Sequence, residues 1–323
     1  MSNVVMCLFA AGGFDKAALG LAGAARRLAD ATGGQVRAIV MGSGADAVAA
    51  EAARVADAVT IVDQAETAQY QPEICLSALT ALCREMAPSA VLFSNDTYSQ
   101  EIVPRLAHRL GGAAVGDGVE LRPQGGKLSV VRQVYGAKAQ AVIELKRSPA
   151  VIWLRGRSFE PAEPRAVAGE ITRAALTLDA AVPTKIVERK TDDSGQVRLE
   201  DARIIVGGGR GIGGKELFET QLKPLADVLG AQMGATRAAC DSGWVPATWQ
   251  IGLTGKKVAP ELYIAVAMSG SSQHMAGVSD AKAIVAINTD AEAPIFNNCR
   301  YGIVGDFRQV VPLLREKLNA LKK

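Results

Sequence analysis

The early part of the chain repeats one pattern: a short apolar run, a turn carrying glycine, then a longer stretch with apolar residues at helical spacing. VVMCLFA from Val4, followed by an amphipathic segment over Asp15–Ala31, sets the unit. VRAIVMG from Val36, AVTIVD from Ala58 and AVLFSN from Ala90 repeat it, with helices expected over Asp46–Ala56, Pro72–Met86 and Ser99–Leu110. Strands this apolar belong inside a parallel sheet, covered on both faces. From about Val119 the pattern turns to alternation, in LSVVRQVYG, AQAVIELKRS and AVIWLRGRS, with a Gly136-Ala137-Lys138 turn between the first two. An antiparallel extension of the sheet is expected there.

Residues 158–200 carry several prolines and many charges, including ERKTDDSGQ, and are poor core material. A boundary near residue 195 is expected, giving domains 1–195 and 196–323. Beyond it ARIIV, a glycine cluster and GKELFETQLKPLADVLGA restart an α/β pattern. ELYIAVAMS, AKAIVAIN and YGIVGD supply further strands, and a last helix is expected over Phe307–Leu321, its lysine-rich end suited to the helix dipole. The fold class expected is α/β: two domains, each a mainly parallel sheet flanked by helices, the second doubly wound.

Composition narrows the function. With 323 residues, 49% of them apolar and 5% aromatic, both domains can bury a core of small aliphatic side chains. A formal charge of +3, with both signs mixed, offers no basic stripe for nucleic acid. Cys7, Cys75, Cys83, Cys240 and Cys299 form no CxxC pair and have only His108 and His274 as co-ligands, which argues against a metal centre or disulfide frame. His108 lies in the RLAHRLGG helix, where a structural or exposed role is expected. No run reaches a membrane span, and Val4–Ala11 is short for a secretion signal. No direct membrane insertion is expected, and the compartment expected is cytoplasmic or matrix-like.

Gly207–Gly214 reads GGGRGIGG between a predicted strand and a predicted helix and holds GxGxxG from Gly209 to Gly214, the setting in which phosphate meets backbone amides. A tight connection explains such a turn equally well. The next strand region, read over TRAACD, offers no acidic ribose reader, which disfavours an NAD-binding Rossmann domain. No Ser/His/Asp or Cys/His set is evident for nucleophilic catalysis.

Residue order adds what spacing cannot. TRAACDSGWVP from Thr236, QIGLTGKKVAPELYIAVAMSGSSQHMAG from Gln250, AKAIVAINTDAEAPIF from Ala281 and YGIVGDF from Tyr301 resemble the flavin domain of electron-transfer flavoprotein α subunits, the FixB-like family. The likeness is dense over 203–312 and looser over 1–150, where VPRLAHRLGG carries it and Ser99, Gln100 and Glu101 replace a Gly-Arg-Asp-like sequence.

The resemblance implies FAD in the second domain and a redox carrier that turns over no substrate. It implies a heterodimer with a β subunit that usually holds AMP, electrons taken from flavoprotein dehydrogenases, and delivery to a membrane-associated quinone oxidoreductase. The first domain would chiefly build the β-subunit interface. An electron-bifurcating subunit and a nicotinamide-dependent oxidoreductase are the alternatives.

Site residues follow from the same likeness. Arg210 would meet the pyrophosphate, Thr236 would hydrogen-bond the cofactor, and Arg237 would lie over the isoalloxazine and favour its reduced form. The loop Gln250, Ile251, Gly252, Leu253, Thr254 and Gly255 would bring Thr254 to the N5 region, with Leu253 replacing the usual Gln. Ser269, Gly270, Ser271, Ser272 and Gln273 would supply amides and dipoles, and His274 a donor to the C2 carbonyl near neutral pH. Asn288 and Asp306, with Phe307 beside them, would face the adenosine end. Each has a plain alternative: a solvent-facing Arg210, an Arg237–Asp241 pair, Thr254 as a turn residue, a structural His274, and Asn288 and Asp306 as helix caps.

Overall fold

The computed structural model describes residues 3–135, 139–155, 158–178, 186–188, 198–278 and 280–321. The chain forms two compact units, one of residues 1–134 and 138–189, the other of 135–137 and 190–323. The boundary expected near 195 and the Gly136–Lys138 turn lie outside the described residues.

In the first unit β1 (Asn3–Phe9), α1 (Lys16–Thr32), β2 (Gln35–Met41), α2 (Ala45–Ala53), β3 (Ala58–Val62), α3 (Pro72–Met86), β4 (Ala90–Phe93) and α4 (Thr97–Leu110) alternate as the periodicity predicts. The Asp15 carboxylate starts α1 by accepting from the amides of Ala17 and Ala18, and Gly33 ends it in the left-handed conformation. β1 sends Val4, Met6 and Leu8 into one core with α1 and α2, and Val5 and Cys7 into another with α3 and α4. A strand buried on both faces explains the unbroken apolar run.

β5 (Ala113–Gln124), β6 (Lys127–Val134), β7 (Ala139–Leu145), β8 (Ala150–Leu154) and β9 (Glu170–Arg173) complete a sheet of order β7-β6-β5-β8-β4-β1-β2-β3-β9. The expected antiparallel extension is present in β5, β6 and β7. AVIWL corrects the reading: as β8 it runs parallel between β4 and β5. β5 escaped notice because its register slips between Val115 and Gly118, where Gly116 makes room for the Trp153 ring.

The proline-rich stretch after Ser158 also has a place. It lies along the helices, with the amides of Ala162, Arg165 and Gly169 donating to the carbonyls of Leu19, Arg54 and Ala53 at 3.1, 2.7 and 2.7 Å. It then pairs β9 with β3. Asp57 fastens the start of this crossing, accepting from Arg26, from Arg165 and from the Val36 amide.

In the second unit β10 (Ile204–Gly208), α5 (Lys215–Leu217), α6 (Lys223–Leu229), β11 (Gln232–Ala235), α7 (Arg237–Asp241), β12 (Leu262–Val266), α8 (Ser272–Met275), β13 (Ile284–Asn288), β14 (Tyr301–Val304) and α9 (Phe307–Leu321) follow in turn. All pairings in its sheet are parallel, in the order β11-β10-β12-β13-β14, so the chain winds both ways from β10. The helix expected over GKELFETQLKPLADVLGA is broken by a π turn at Phe218–Leu222. Pro224 has no amide hydrogen for the carbonyl of Thr220, and Phe218 and Leu222, four residues apart, both reach the core. TRAACD is not a strand: QMGA forms β11, and Arg237 opens α7.

Gly23 on α1 lies under the carbonyl of Glu160, where a Cβ would sit well inside van der Waals distance of that backbone oxygen. Gly-to-Ala in a helix ordinarily stabilises by about 0.5–1 kcal/mol. Gly23→Ala is expected to do the reverse, costing about 2 kcal/mol as a lowered urea midpoint. A raised midpoint would show that the 158–169 stretch does not lie on α1.

Candidate flavin site

Parallel strands put their carboxyl ends on one edge, and ligands in such sheets sit where the strand order reverses. Here that point lies between β10 and β12. The loops leaving them touch: the amides of Gly209 and Gly211 donate to the carbonyls of Val266 and Ala267 at 2.9 and 3.0 Å. A Cβ on Gly209 would fall 2.5 Å from the Met268 Cα, and one on Gly211 would fall 2.7 Å from the Ala267 oxygen. Both glycines are therefore required by the fold itself. Gly213 needs its left-handed φ of 89°. Gly214 needs neither: its backbone is extended, and a Cβ there would meet nothing within 4 Å.

Around this point the chain gathers its polar groups. Arg210 is exposed in the glycine turn and pairs with none of the described residues. At the end of β11 the Thr236 amide donates to the Gly208 carbonyl, while the Thr236 hydroxyl oxygen is buried and has no partner. Arg237 follows it, its side chain 67% exposed and 3.2 Å from Asp241. Such an exposed pair holds Arg237 only weakly.

The 250–255 loop crosses between β11 and α8. The Ile251 amide donates to Ala235 at 2.9 Å, and that of Leu253 to Gln273 at 2.7 Å. Gly252 adopts φ 147°, and a Cβ there would lie 2.9 Å from the Gln273 oxygen. Gln250 Nε2 donates to Thr254 Oγ1 at 3.0 Å, leaving the hydroxyl hydrogen of exposed Thr254 unspent. Gly255 lies against the Gln250 carbonyl, and Leu253 is exposed. Ser269 gives its carbonyl to the Ile295 amide, and Gly270, at φ 77°, leaves room for the Ile295 backbone. Ser271, Ser272 and Gln273 lead into α8 with Ser271 and Gln273 exposed. Arg210, Thr236, Arg237, residues 250–255 and 269–274 thus meet at one edge of the sheet.

Five of these residues are engaged within the chain. His274 is 5% exposed; its Nδ1 lies 3.1 Å from the Ile251 carbonyl and its Nε2 2.9 Å from the Tyr263 hydroxyl. Burial, partly opposed by the Ile251 hydrogen bond, pushes its pKa down to about 4, so at neutral pH the ring is uncharged and its one N–H is spent inside the protein. Ile251 is buried, with that carbonyl engaged. Asn288 donates to the Met268 carbonyl at 2.9 Å and accepts from the Asp290 amide at 3.0 Å, so it ties the loops after β12 and β13 together. Asp306 accepts from the Arg308 amide at 2.9 Å as the cap of α9, and Phe307, 4% exposed, is core.

Tyr263, the partner of His274, was not singled out in the sequence. The signal was there: a phenol inside the aliphatic run LYIAV must hydrogen-bond something.

Residues 7–179 match the family model described as "Electron transfer flavoprotein domain", and residues 198–279 match "Electron transfer flavoprotein FAD-binding domain". The chain is 35% identical over 316 residues to the electron transfer flavoprotein subunit alpha of Thermoanaerobacterium thermosaccharolyticum, covering 94% of each chain. It is 38% identical over 288 residues to the protein of the same description from Paracoccus denitrificans, covering 88% of this chain and 91% of that one. Protein FixB of Clostridium saccharobutylicum is 34% identical over 308 residues, covering 94% and 92%.

Because His274 binds a proton near its ordinary value of 6.5 when unfolded and only at about 4 when folded, the unfolded chain takes up more protons between those values. Stability should fall as pH drops from about 6.5 toward 4, by at most about 3 kcal/mol, with no contribution above that window. Thermal melts followed by the fluorescence of Trp244 and Trp249 test this. His274→Gln should be less stable at pH 7 yet lose that part of the acid dependence.

Proposed function

The chain belongs to the electron transfer flavoprotein α-subunit family, and on that footing we propose that it carries electrons on an FAD held at the carboxyl edge of its second sheet. Its electrons would come from flavoprotein dehydrogenases and go to a membrane-associated quinone oxidoreductase. A β subunit would complete the heterodimer.

The observation that carries this reading is the buried Thr236 hydroxyl oxygen with no partner, set between the weakly held Arg237 and the end of β10. A buried polar atom left unpaired costs about 1–3 kcal/mol, which a hydrogen bond to a ligand repays. Gly214, with open space where a side chain would stand, and the unpaired Arg210 fit an approaching anionic group on the same edge. The donor set therefore fits FAD.

When bound, FAD supplies reversible uptake and release of electrons. The chain's own part is to hold and to bias. Arg210 is suited to the pyrophosphate, as a cation beside backbone amides that packing has already fixed. Thr236 and the free hydrogen of Thr254 supply neutral donors to the ring system. Arg237 supplies positive charge, which favours added electrons, while the uncharged His274 ring adds none and its Nδ1–H donates to the Ile251 carbonyl.

Co-expression with the β partner tests the reading. A yellow complex releasing one FAD per heterodimer on denaturation is expected; a colourless complex would end it. Arg237→Ala should lower the midpoint potential by roughly 40 mV, equivalent to about 1 kcal/mol for one electron. The α chain purified alone should retain little FAD.

A further inference from the structure

Arg237 and Asp241 are the first and last residues of α7, one helical turn apart, so they stand on the same side of it, and Ala239 between them is fully buried. The pair is not arranged to serve the helix. Cations are favoured at the carboxyl end of a helix and anions at the amino end, and α7 carries the reverse at both ends. In a pair four residues apart the acidic member also does better when it comes first. Helix stability alone would select the opposite order.

The contact is also one-sided. Arg237 gives Asp241 only its Nε hydrogen, to Oδ2 at 3.2 Å, and Nη1 and Nη2 meet no acceptor among the described residues. Asp241 has no other cationic partner among those residues. Its charge is felt along the helix: the Cys240 thiol is pushed up by burial first and by the Asp241 carboxylate second. The start of α7 is fixed at the crevice, where the Thr236 amide donates to the Gly208 carbonyl at 3.1 Å. A cation with four unspent donor hydrogens is thus tethered beside the unpartnered Thr236 hydroxyl by one carboxylate oxygen.

Resting on the FAD reading above, we propose that Asp241 is a positioning residue that restrains Arg237: it competes with the reduced flavin for the guanidinium and so sets the reduction potential lower than an unrestrained Arg237 would. Negative charge on the ring draws Arg237 toward it, and Asp241 opposes that shift. The pair is exposed and therefore weak, so it yields to the added charge in part and leaves a measurable residue of restraint.

A redox titration of the FAD-loaded heterodimer against a reference dye decides it, read as the ratio of one-electron-reduced to oxidised flavin at a fixed potential. Asp241→Asn should raise that ratio about threefold, the size of one exposed ion pair. In an Arg237→Ala background the same substitution should raise it by at most about 1.5-fold, because the arginine it releases is gone. An equal rise in both backgrounds would mean that Asp241 acts on the flavin only through its own charge, and overturns the proposal. No rise, or a fall, with Arg237 present overturns it too. Asp241→Ala, which removes the acceptor along with the charge, should match Asp241→Asn and takes its place if that variant does not assemble. A wild-type heterodimer without FAD ends the FAD reading and this proposal together, whereas bound FAD with the ratio unmoved in Asp241→Asn ends this proposal alone.

Discussion

The backbone contact between the loops leaving β10 and β12 governs the second unit. Gly209 and Gly211 bond to Val266 and Ala267 at distances a side chain would forbid. That contact closes the bottom of the crevice at the reversal point of the sheet and sends the two chains apart, one toward Arg210, the other toward Ser269. The parallel register then sets every other strand end on the same edge. Glycines that resemble a phosphate loop are thus divided in purpose. Gly207, Gly208, Gly209 and Gly211 are demanded by packing and Gly213 by its dihedral, and only Gly214 is left for something outside the chain.

Polar groups divide the same way. His274, Asn288 and Asp306 spend hydrogen bonds on the chain itself, joining loop to core, loop to loop and cap to helix. Arg210, Thr236, Arg237 and Thr254 keep capacity in reserve. A site built this way keeps its framework before ligand binds, because the groups that shape it are not the ones that will meet the ligand. Positive charge belongs to the second set alone: the arginines stay at the edge, where hydration keeps them charged, while the one histidine of the site is buried and neutral.

Much of this was legible in the sequence. Strands buried on both faces read as unbroken apolar runs, and α3 and α9 begin and end where Pro72, Met86, Phe307 and Leu321 predict. β5 was hidden because a bulge breaks its alternation, and β8 was misassigned because neighbouring strands in sequence need not be neighbours in a sheet. The family blocks pointed to the proposed site, but they could not tell which members face outward. Phe307 next to Asp306, and Ile251 within the 250–255 loop, share a block with polar residues yet belong to the core. His274 shows the same limit at the level of one proton: sequence supplies an imidazole, and only its buried neighbours fix its charge and hydrogen.

The first unit obeys the same topological rule with a different outcome. Its strand order reverses between β4 and β1, so its crevice lies at the loops after Phe9 and Phe93. There the rings of Tyr70 and Tyr98 stack at 3.7 Å, and both meet Phe9 edge-on. Carboxylates start the helices beside it: Asp15 caps α1, and Asp96 caps α4 with its pKa raised by burial despite the bonds from Ser99. Aromatic rings and acidic caps repel a pyrophosphate where the second unit offers glycine and arginine. Two sheets of one architecture therefore differ in chemistry because of a handful of loop residues, which is why the flavin reading rests on Arg210, Thr236 and Arg237 rather than on the fold.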